Sequence, residues 1–483
     1  MFMRSFTYIL CLISIQLSAQ TGIIWSEPIM ISDETTGYDH PRIALTGDDG
    51  AVVIWGNEGD MYFSRQEGIS FTTPLMLNSP ETSISTFSWA GPDIASKGDT
   101  IYIVFKEEPE DMARIYCVAS YDGGITFDTL EIVDGMIGDH YSRFPSVTVK
   151  EDGNPAIAFM KLNTSFLDPK YVVVTSDDFG NSFNMDVTAS NFSGGEVCDC
   201  CPVGITAKDN YVVTLYRDNL DNLRNSWAGI STDGGISFEN GIQIDQTDWT
   251  VFACPASGPD GVIIGDNLYS VFMSAGEGDS RVYFSTSSLT EFTDEPDMRV
   301  SPEFEGLSVQ NYPRIASFGN AVAMVWKQVE NSKATIPISF TNDINNGFPP
   351  DYDTIAYLDF YGLENADVAV SSNKVHVVWQ DNYSNAVMYR EGTYVEPVLL
   401  EEATTQNVIK VFPNPAESAF NINSEIGLET IRLYDAQQGI VKNLDLNGNK
   451  IVNIPINKLT PGLFLIVIKD VNGAVHTEKI IIQ

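Results

Sequence analysis

Three stretches of the chain share the eight-residue frame Ser-x-Asp-x-Gly-x-x-Phe: SYDGGITF (120–127), SDDFGNSF (176–183) and STDGGISF (231–238). Three weaker copies follow the same frame: SRQEGISF (64–71), STSSLTEF (285–292) and TNDINNGF (341–348). Successive copies begin 54 to 56 residues apart. A frame that returns at a constant interval indicates a chain built from repeated structural units.

Two further landmarks keep this period. Each unit has an apolar run that ends in an aromatic residue: Trp55, Phe105, Phe159, Tyr216, Phe272, Trp326 and Trp379. Six units carry a proline ahead of their first strand: Pro41, Pro92, Pro145, Pro202, Pro255 and Pro313. The seventh unit has Asp367 in place of the proline, and only MYREGTY (388–394) in place of the frame.

Each unit therefore reads as four short strands in about 50 residues, which predicts an all-β fold, a β-propeller over residues 23–400. The seven aromatic-ended runs favour seven blades, with six as the alternative. The early stretch WSEPIMIS (25–32) is similar to the closing strand of a unit, so we expect it to complete the last blade.

The aspartates of the frame, at the third position, are predicted to be structural. In a tight turn a carboxylate accepts hydrogen bonds from backbone N–H groups, the glycine supplies a positive φ, and the aromatic residue packs between sheets. The residues concerned are Asp122, Asp178, Asp233 and Asp343.

The frame resembles the Asp box of the sialidase (BNR-repeat) superfamily, and the resemblance covers nearly all of residues 23–400. In catalytic members it implies three arginines on a substrate carboxylate, an Asp acid, and a Tyr nucleophile paired with Glu. Arg42, in Pro-Arg-Ile-Ala, is the best match to the first family arginine, and Arg314, in a second Pro-Arg-Ile-Ala, is the candidate for another. The family motif is Arg-Ile-Pro, so this chain departs from it. Catalytic residues stay unassigned, and Tyr38, Tyr312 and Glu196 are candidates by blade position alone.

Basic residues recur at corresponding places in a very acidic chain. Lys106, Lys161, Arg217 and Lys327 follow the aromatic-ended runs, and Arg42, Arg143 and Arg314 lie beside the prolines. Such a set predicts an axial pocket that binds an acidic sugar. The alternative is that these side chains pair with local acids. The predicted function is recognition of extracellular glycans or glycoproteins, including exo-glycosidase action on acidic sugars. The alternative function is a non-catalytic surface protein-interaction module.

The two ends of the chain predict where the protein acts. The stretch MFMRSFTYILCLISIQLSAQ (1–20) has a basic residue, an apolar run and a small-residue cleavage site, which predicts a signal peptide over residues 1–19. After a linker (401–407), residues 408–483 alternate apolar runs with turn signals and predict a small β-module. This module resembles the C-terminal sorting domain of the type IX secretion system of Bacteroidetes. The resemblance implies passage through the secretion machinery to the cell surface or the medium.

Charge and composition exclude several classes of function. With 27 Lys+Arg against 65 Asp+Glu the formal net charge is −38, which disfavours a nucleic-acid partner. Apart from the signal peptide, no stretch is long and apolar enough to span a membrane. The four histidines are scattered, without a metalloprotease motif, and no cofactor is predicted.

The cysteines cluster in GGEVCDCCPVG (194–204). Cys117 lies within a predicted strand and is expected to be a buried free thiol. Cys198, Cys200, Cys201 and Cys254 form an even set in an oxidising compartment, so two disulfides are expected, at least one of them reaching Cys254. Three pairings are open, and a thiolate metal site or redox chemistry are the alternatives.

Overall fold

The computed structural model describes residues 22–109, 114–134, 140–394, 409–416, 418–434, 440–456, 459–472 and 475–482. The predicted signal peptide and linker lie outside these residues. The chain divides into two compact units, Met1–Pro397 and Val398–Gln483.

The described part of the first unit forms seven antiparallel sheets of four or five strands, so the predicted β-propeller is confirmed with seven blades. Two short strands precede the first blade. These two strands are β1 (Ile23–Trp25) and β2 (Ile29–Met30), and blade 1 consists of β3 (Asp39–Leu45), β4 (Ala51–Asn57), β5 (Asp60–Glu67), β6 (Ser70–Phe71) and β7 (Leu75–Met76). Blade 2 consists of β8 (Ser83–Ile84), β9 (Asp93–Lys97), β10 (Thr100–Glu108), β11 (Ile115–Ser120) and β12 (Glu131–Ile132). Blade 3 consists of β13 (Tyr141–Val149), β14 (Pro155–Leu162), β15 (Lys170–Thr175) and β16 (Val187–Thr188).

The remaining blades repeat this plan. Their strands are, in blade 4, β17 (Glu196–Val197), β18 (Gly204–Lys208), β19 (Tyr211–Asn219), β20 (Ser226–Ser231) and β21 (Asn240–Gln243); in blade 5 β22 (Asp260–Ile264), β23 (Asn267–Ser274), β24 (Arg281–Ser288), β25 (Thr293–Asp294) and β26 (Met298–Arg299); in blade 6 β27 (Leu307–Phe318), β28 (Ala321–Glu330), β29 (Lys333–Thr341) and β30 (Asp353–Leu358); in blade 7 β31 (Leu363–Val370), β32 (Lys374–Asp381) and β33 (Ala386–Tyr394).

The blades are arranged in a closed ring. The innermost strands β3, β9, β13, β18, β22, β27 and β31 each contact the innermost strand of the next blade, and β31 contacts β3. The opening segment supplies the outer strand of blade 7: β1 and β2 both pair with β33, with Ile23 opposite Tyr394. The expectation that the early stretch completes the last blade is therefore confirmed.

The aromatic landmark of each unit belongs to the core. Trp55, Phe105 and Trp326, for example, are fully buried in the second strands of their blades. Each second strand continues beyond its aromatic residue, so that Lys106 lies within β10 and Arg217 within β19. The second strands are therefore longer than the apolar runs that predicted them, because charged residues such as Lys106 and Arg217 continue the strand beyond its aromatic residue.

The eight-residue frames form tight turns. Asp122 accepts hydrogen bonds from the backbone N–H groups of Ile125 (3.0 Å) and Thr126 (2.9 Å) and from the hydroxyl of Ser120 (2.9 Å). Asp178, Asp233 and Asp343 accept bonds from following N–H groups in the same way. These bonds lower the pKa of Asp122 to about 2, the hydroxyl and N–H of Thr126 contributing most.

The aromatic residue that ends a frame packs against the preceding blade. The rings of Phe127 and Phe63 meet edge to face with centroids 4.9 Å apart, and those of Phe348 and Phe284 at 5.3 Å. The frame is thus both a turn and an inter-blade contact.

The second unit is a separate β-sheet. Its described strands are β34 (Ile409–Phe412), β35 (Ala419–Tyr434), β36 (Ile440–Pro455), β37 (Gly462–Asp470) and β38 (Val475–Ile482). They pair in the order β34-β35-β37-β38, with β36 also on β35. A core of its own, which includes Phe420, Ile422 and Ile466, is fully buried.

Candidate functional site

The seven inner strands converge on a small cavity on the axis of the propeller, which we call the axial cavity. Every blade contributes to its wall, and Trp89, Phe144, Tyr312, Arg42 and Arg314 are among the residues that line it. Its volume is about 60 Å³, room for roughly five water molecules at about 10–15 Å³ each. The axial cavity therefore admits a carboxylate or a sulfate group but not a whole sugar ring.

Backbone geometry directs several of these side chains into the axial cavity. On blades 1, 3, 6 and 7 the inner strand bulges, and the bulge contains a non-glycine residue at positive φ. These residues are His40 (φ 51°), Phe144 (52°), Tyr312 (51°) and Asn365 (48°), and all four line the cavity. This conformation is costly for a residue with a side chain and is concentrated at functional sites. This feature was not predicted from the sequence, where its available signal is the position just before Pro41, Pro145 and Pro313.

One register position is shared by all seven inner strands, and we call it the axial ring. It lies opposite the residue that precedes the core aromatic residue of each second strand. Its members are Arg42, Asp93, Ser146, Gly204, Asp260, Arg314 and Asp367. Two arginines against three aspartates leave the ring with a net charge of −1.

This register corrects two assignments. The proline before the ring position of blade 5 is Pro259, not Pro255, and Arg143 lies three residues before Ser146, on the far side of the bulge. Arg143 therefore does not correspond to Arg42, and its guanidinium contacts the carbonyl oxygen of Asp199 (3.3 Å) and the ring of Phe166.

Arg314 is neutralised within the axial ring. Its Nε lies 3.1 Å from an oxygen of Asp367 and 3.4 Å from one of Asp260, and its Nη2 lies 4.0 Å from Asp93. Burial by itself would lower the pKa of this guanidinium, but the carboxylates of Asp260, Asp367 and Asp93 raise it above the usual value. The positive charge of Arg314 is thus already neutralised by carboxylates from three other blades.

The same aspartates connect neighbouring blades. Asp367 accepts the N–H of Ile43 (3.0 Å), which lies on the inner strand of the following blade. Asp93 accepts the N–H of Val147 (3.1 Å), and Asp260 that of Ile315 (3.0 Å). Each carboxylate therefore stabilises the contact between two neighbouring blades and also balances the positive charge of Arg314.

Arg42 has a different environment. Its Nη1 donates to the carbonyl oxygen of Pro41 (2.9 Å). Among the described residues no carboxylate lies within 4.0 Å of its guanidinium nitrogens. Burial, followed by the positive charge of Arg314, lowers the pKa of Arg42 to about 10. Arg42 is therefore a cation in the wall of the axial cavity whose charge is incompletely balanced.

The other predicted basic residues have local partners. Lys161 pairs with Asp186 (3.1 Å) and Lys327 with Glu364 (2.6 Å). Arg217 is fully buried, with Asp245 at 3.7 Å. Lys106 is buried and donates to the carbonyl oxygen of Glu107 (3.0 Å). Of the seven predicted pocket residues, the structure brings Arg42 and Arg314 together at the axial cavity and places the other five elsewhere.

The candidate catalytic residues are likewise dispersed. Tyr312 lines the axial cavity, and its pKa is raised by burial and then by the negative charge of Glu364. Tyr38 packs in the core cluster of blades 1 and 7, and Glu196 is exposed on β17. His40 lines the cavity as a buried ring whose Nδ1 has no hydrogen-bond partner among the residues that the structure describes. Burial holds the pKa of His40 well below the usual range.

Four cysteines, Cys198, Cys200, Cys201 and Cys254, form a second cluster, on blades 4 and 5. Cys200 and Cys254 are joined by a disulfide, which confirms the predicted bridge from the 198–201 loop to Cys254. Cys117, Cys198 and Cys201 are free and buried, as expected for Cys117. The prediction of two disulfides was wrong, because Cys198 and Cys201 remain thiols next to each other. The Sγ atoms of Cys198, Cys200 and Cys201 lie within 4.8 Å of one another, a grouping that could hold a metal ion. Because Cys200 is engaged in the disulfide, only two thiols are left as ligands.

Comparison with known protein families concerns the second unit. The family described as "Secretion system C-terminal sorting domain" matches residues 410–483. This unit is a sorting domain. It directs the protein through the type IX secretion system, to the cell surface or into the medium. The described residues contain no helix that is long and apolar enough to span a membrane.

Solved structures resemble the chain in fold. An ulvan lyase, described as a new polysaccharide lyase family, is 11% identical with a TM-score of 0.48, covering 75% of this chain and 95% of that one. The endosialidase of phage phi92 is 10% identical (TM-score 0.45; 94% and 79% covered), and the sialidase of Trypanosoma rangeli is 8% identical (TM-score 0.43; 94% and 88% covered). Such values do not identify a shared activity. No curated protein matches the sequence significantly.

Proposed function

We propose that the exported propeller recognises extracellular glycans that carry an acidic group, and that the acidic group enters the axial cavity and binds Arg42. The observation that supports this most directly is the contrast between two arginines of one ring. Arg314 is surrounded by three carboxylates, whereas Arg42 has none within 4.0 Å among the described residues. A buried cation with an unbalanced charge gains most from an anionic ligand.

The size and lining of the axial cavity support the same ligand class. A volume of about 60 Å³ suits a carboxylate or sulfate group, so the rest of a sugar would remain at the mouth. Trp89, Phe144 and Tyr312 supply aromatic surface in the wall, as is usual in sites that combine apolar contacts with a few polar groups. Recognition, rather than hydrolysis, is proposed because Tyr38 and Glu196 do not accompany Tyr312 at the cavity.

A glycan array tests the proposal with the secreted protein and two charge-matched variants. Arg42→Met removes the guanidinium from the axial cavity, while Arg65→Met removes one on β5 that pairs with Glu67 (2.6 Å). The wild type and Arg65→Met should bind uronic, sialic or sulfated glycans more tightly than neutral ones. Arg42→Met should lose roughly 10- to 100-fold in affinity for the acidic glycans, as expected for a charge-assisted hydrogen bond worth about 1.5–3 kcal/mol. Equal binding of acidic and neutral glycans by the wild type would contradict the proposal.

One observation favours the alternative, a protein-interaction module. Phe360 and Tyr361 are exposed on the connection from blade 6 to blade 7, and Tyr383 is exposed on a loop of blade 7. The rings of Phe360 and Tyr383 lie 5.3 Å apart. Exposed aromatic clusters are typical of protein-binding surfaces. The array separates the two functions, because an interaction module would show no preference among glycans that depends on Arg42.

A further inference from the structure

The turn that contains the cysteines brings two free thiols together. The N–H of Cys198 donates to the carbonyl oxygen of Arg217 (2.8 Å), and that of Cys201 donates to the carbonyl oxygen of Cys198 (3.3 Å). In this turn the Sγ atoms of Cys198 and Cys201 lie 2.7 Å apart. A disulfide bond of about 2.05 Å is therefore within a small movement. Two residues separate Cys198 from Cys201, which gives a C-x-x-C spacing that was overlooked in the sequence.

The buried surroundings of Cys198 favour its thiolate. Arg224 is nearly buried, and within the described part of the chain its Nε and Nη1 have no hydrogen-bond partner. The hydrogen bond from the Cys201 thiol lowers the pKa of Cys198 most, burial opposes it, and the Cys200 N–H, Arg224 and Arg217 add to the lowering, giving a pKa of about 7. Burial raises the pKa of Cys201 instead. The pair thus contains one nucleophilic sulfur and one protonated sulfur.

A disulfide lies within reach of this nucleophile. The Sγ of Cys198 is 3.5 Å from the Sγ of Cys200, which is bonded to Cys254. Cys254 is exposed, whereas Cys198 and Cys201 are fully buried. The leaving sulfur would therefore emerge in water, where its thiolate is well solvated.

We propose that Cys198, Cys201, Cys200 and Cys254 form an intramolecular thiol–disulfide exchange site, which moves the disulfide from Cys200–Cys254 to Cys198–Cys201 and presents Cys254 as a surface thiol. In the first step the Cys198 thiolate attacks Cys200 Sγ; the Cys198–Cys200 bond forms, the Cys200–Cys254 bond breaks, and the electron pair leaves on Cys254, which takes a proton from water.

In the second step Cys201, having lost its proton to water, attacks Cys198 Sγ. The Cys198–Cys201 bond forms, the Cys198–Cys200 bond breaks, and Cys200 leaves as a thiolate that takes up a proton. Two thiols and one disulfide are present before and after, so no external oxidant or reductant is needed. The exchange also removes the covalent link between blades 4 and 5.

The experiment compares two routes to a protein with one disulfide among these four cysteines. In one preparation the fully reduced protein receives one equivalent of diamide. In the other, protein first oxidised to two disulfides receives phosphine until one disulfide has been reduced and three thiols, Cys117 included, are free. Each is incubated at pH 8, quenched with acid and mapped by mass spectrometry. Both should reach the same ratio of Cys198–Cys201 to Cys200–Cys254 bridges. Ratios that stay different between the two preparations overturn the proposal.

Variants make the outcome specific to the proposed steps. Cys198→Ser should retain the Cys200–Cys254 bridge and leave Cys254 unlabelled by iodoacetamide, whereas Cys117→Ser should behave as the wild type. Cys201→Ser blocks the second step and should accumulate a Cys198–Cys200 bridge, which a purely structural role for these cysteines does not produce. Labelling of Cys254 in Cys198→Ser as strong as in the wild type would count against the exchange.

Discussion

At the scale of single residues, Gly124 shows why the repeated frame needs glycine. Its φ is +81°, and a Cβ at this position would lie 2.3 Å from the ring of Phe63, the residue on which Phe127 packs. The neighbouring Gly123 also has a positive φ, +73°, but its Cβ would meet nothing closer than 3.6 Å. A substitution at either glycine would strain the backbone, but only one at Gly124 would also overlap a neighbouring side chain.

Gly124→Ala should destabilise the propeller more than Gly123→Ala. A left-handed conformation costs about 1–2 kcal/mol for a residue with a Cβ, which both variants incur. Overpacking against Phe63 should cost Gly124→Ala roughly 1–3 kcal/mol more. Urea denaturation of the two variants and the wild type measures this difference. Equal midpoints for the two variants would show that Phe63 moves aside without cost.

The cysteines show what residue spacing predicts and what it leaves open. The sequence sufficed to join the 198–201 loop to Cys254, because an even set of cysteines in an exported protein favours disulfides. It did not choose Cys200 as the partner, because four cysteines allow three pairings and their spacing does not distinguish them. In the structure the Cα atom of Cys200 lies 6.2 Å from that of Cys254.

At the scale of elements, the inner strands place structural aspartates and the proposed ligand-binding residue, Arg42, in one ring. Asp93, Asp260 and Asp367 accept N–H groups from the next blade and also surround Arg314. Arg42 occupies the same register position but contributes no such bond. The two arginines should therefore differ in their effect on stability.

Arg314→Met should lower the free energy of unfolding by about 3–5 kcal/mol, because it leaves buried carboxylates without their counter-ion. Arg42→Met removes a repulsion with Arg314 together with opposing attractions to the more distant carboxylates of Asp367, Asp93 and Asp260. Because these contributions oppose each other, the free energy of unfolding should change by less than about 1 kcal/mol. Thermal unfolding of the two variants under identical conditions gives the comparison. Similar losses for both would mean that Arg42 also carries a structural charge, and that the axial cavity lacks a free cation.

The sequence predicted the strands far better than the contacts between them. Period and strand content sufficed for the propeller, because each unit repeats the same local pattern. The neutralisation of Arg314 was out of reach, since its partners lie on three other blades and the Asp367 carboxylate is 53 residues away along the chain. Spacing located Arg42 and Arg314 near the axis; only the assembled ring shows which of them is already paired.

At the scale of the whole molecule, the protein consists of a closed seven-bladed propeller and a sorting domain with its own core. The signal peptide predicted for residues 1–19 would act in the first stage of export, and the sorting domain acts in a later one. We therefore expect the protein found outside the cell to lack residues 1–19 and most of the chain from Val408 onward.

Intact-mass measurement of the culture medium and of the cell surface tests this expectation. Deletion of residues 410–483 serves as the control and should leave the propeller inside the cell envelope, because the export signal is gone. Extracellular protein with the mass of the complete 483-residue chain would show that neither end is removed.

The closure of the propeller by β1 also sets an order in time. Ile23 of β1 is synthesised about 370 residues before its partner Tyr394 of β33, which belongs to the last blade. At about 5–20 residues per second, β1 waits roughly 20 to 75 seconds for β33. A chain cut short by a failed ribosome never supplies that partner and keeps an open strand edge, which proteases and chaperones can recognise. The ring can thus close only after the whole propeller has been synthesised.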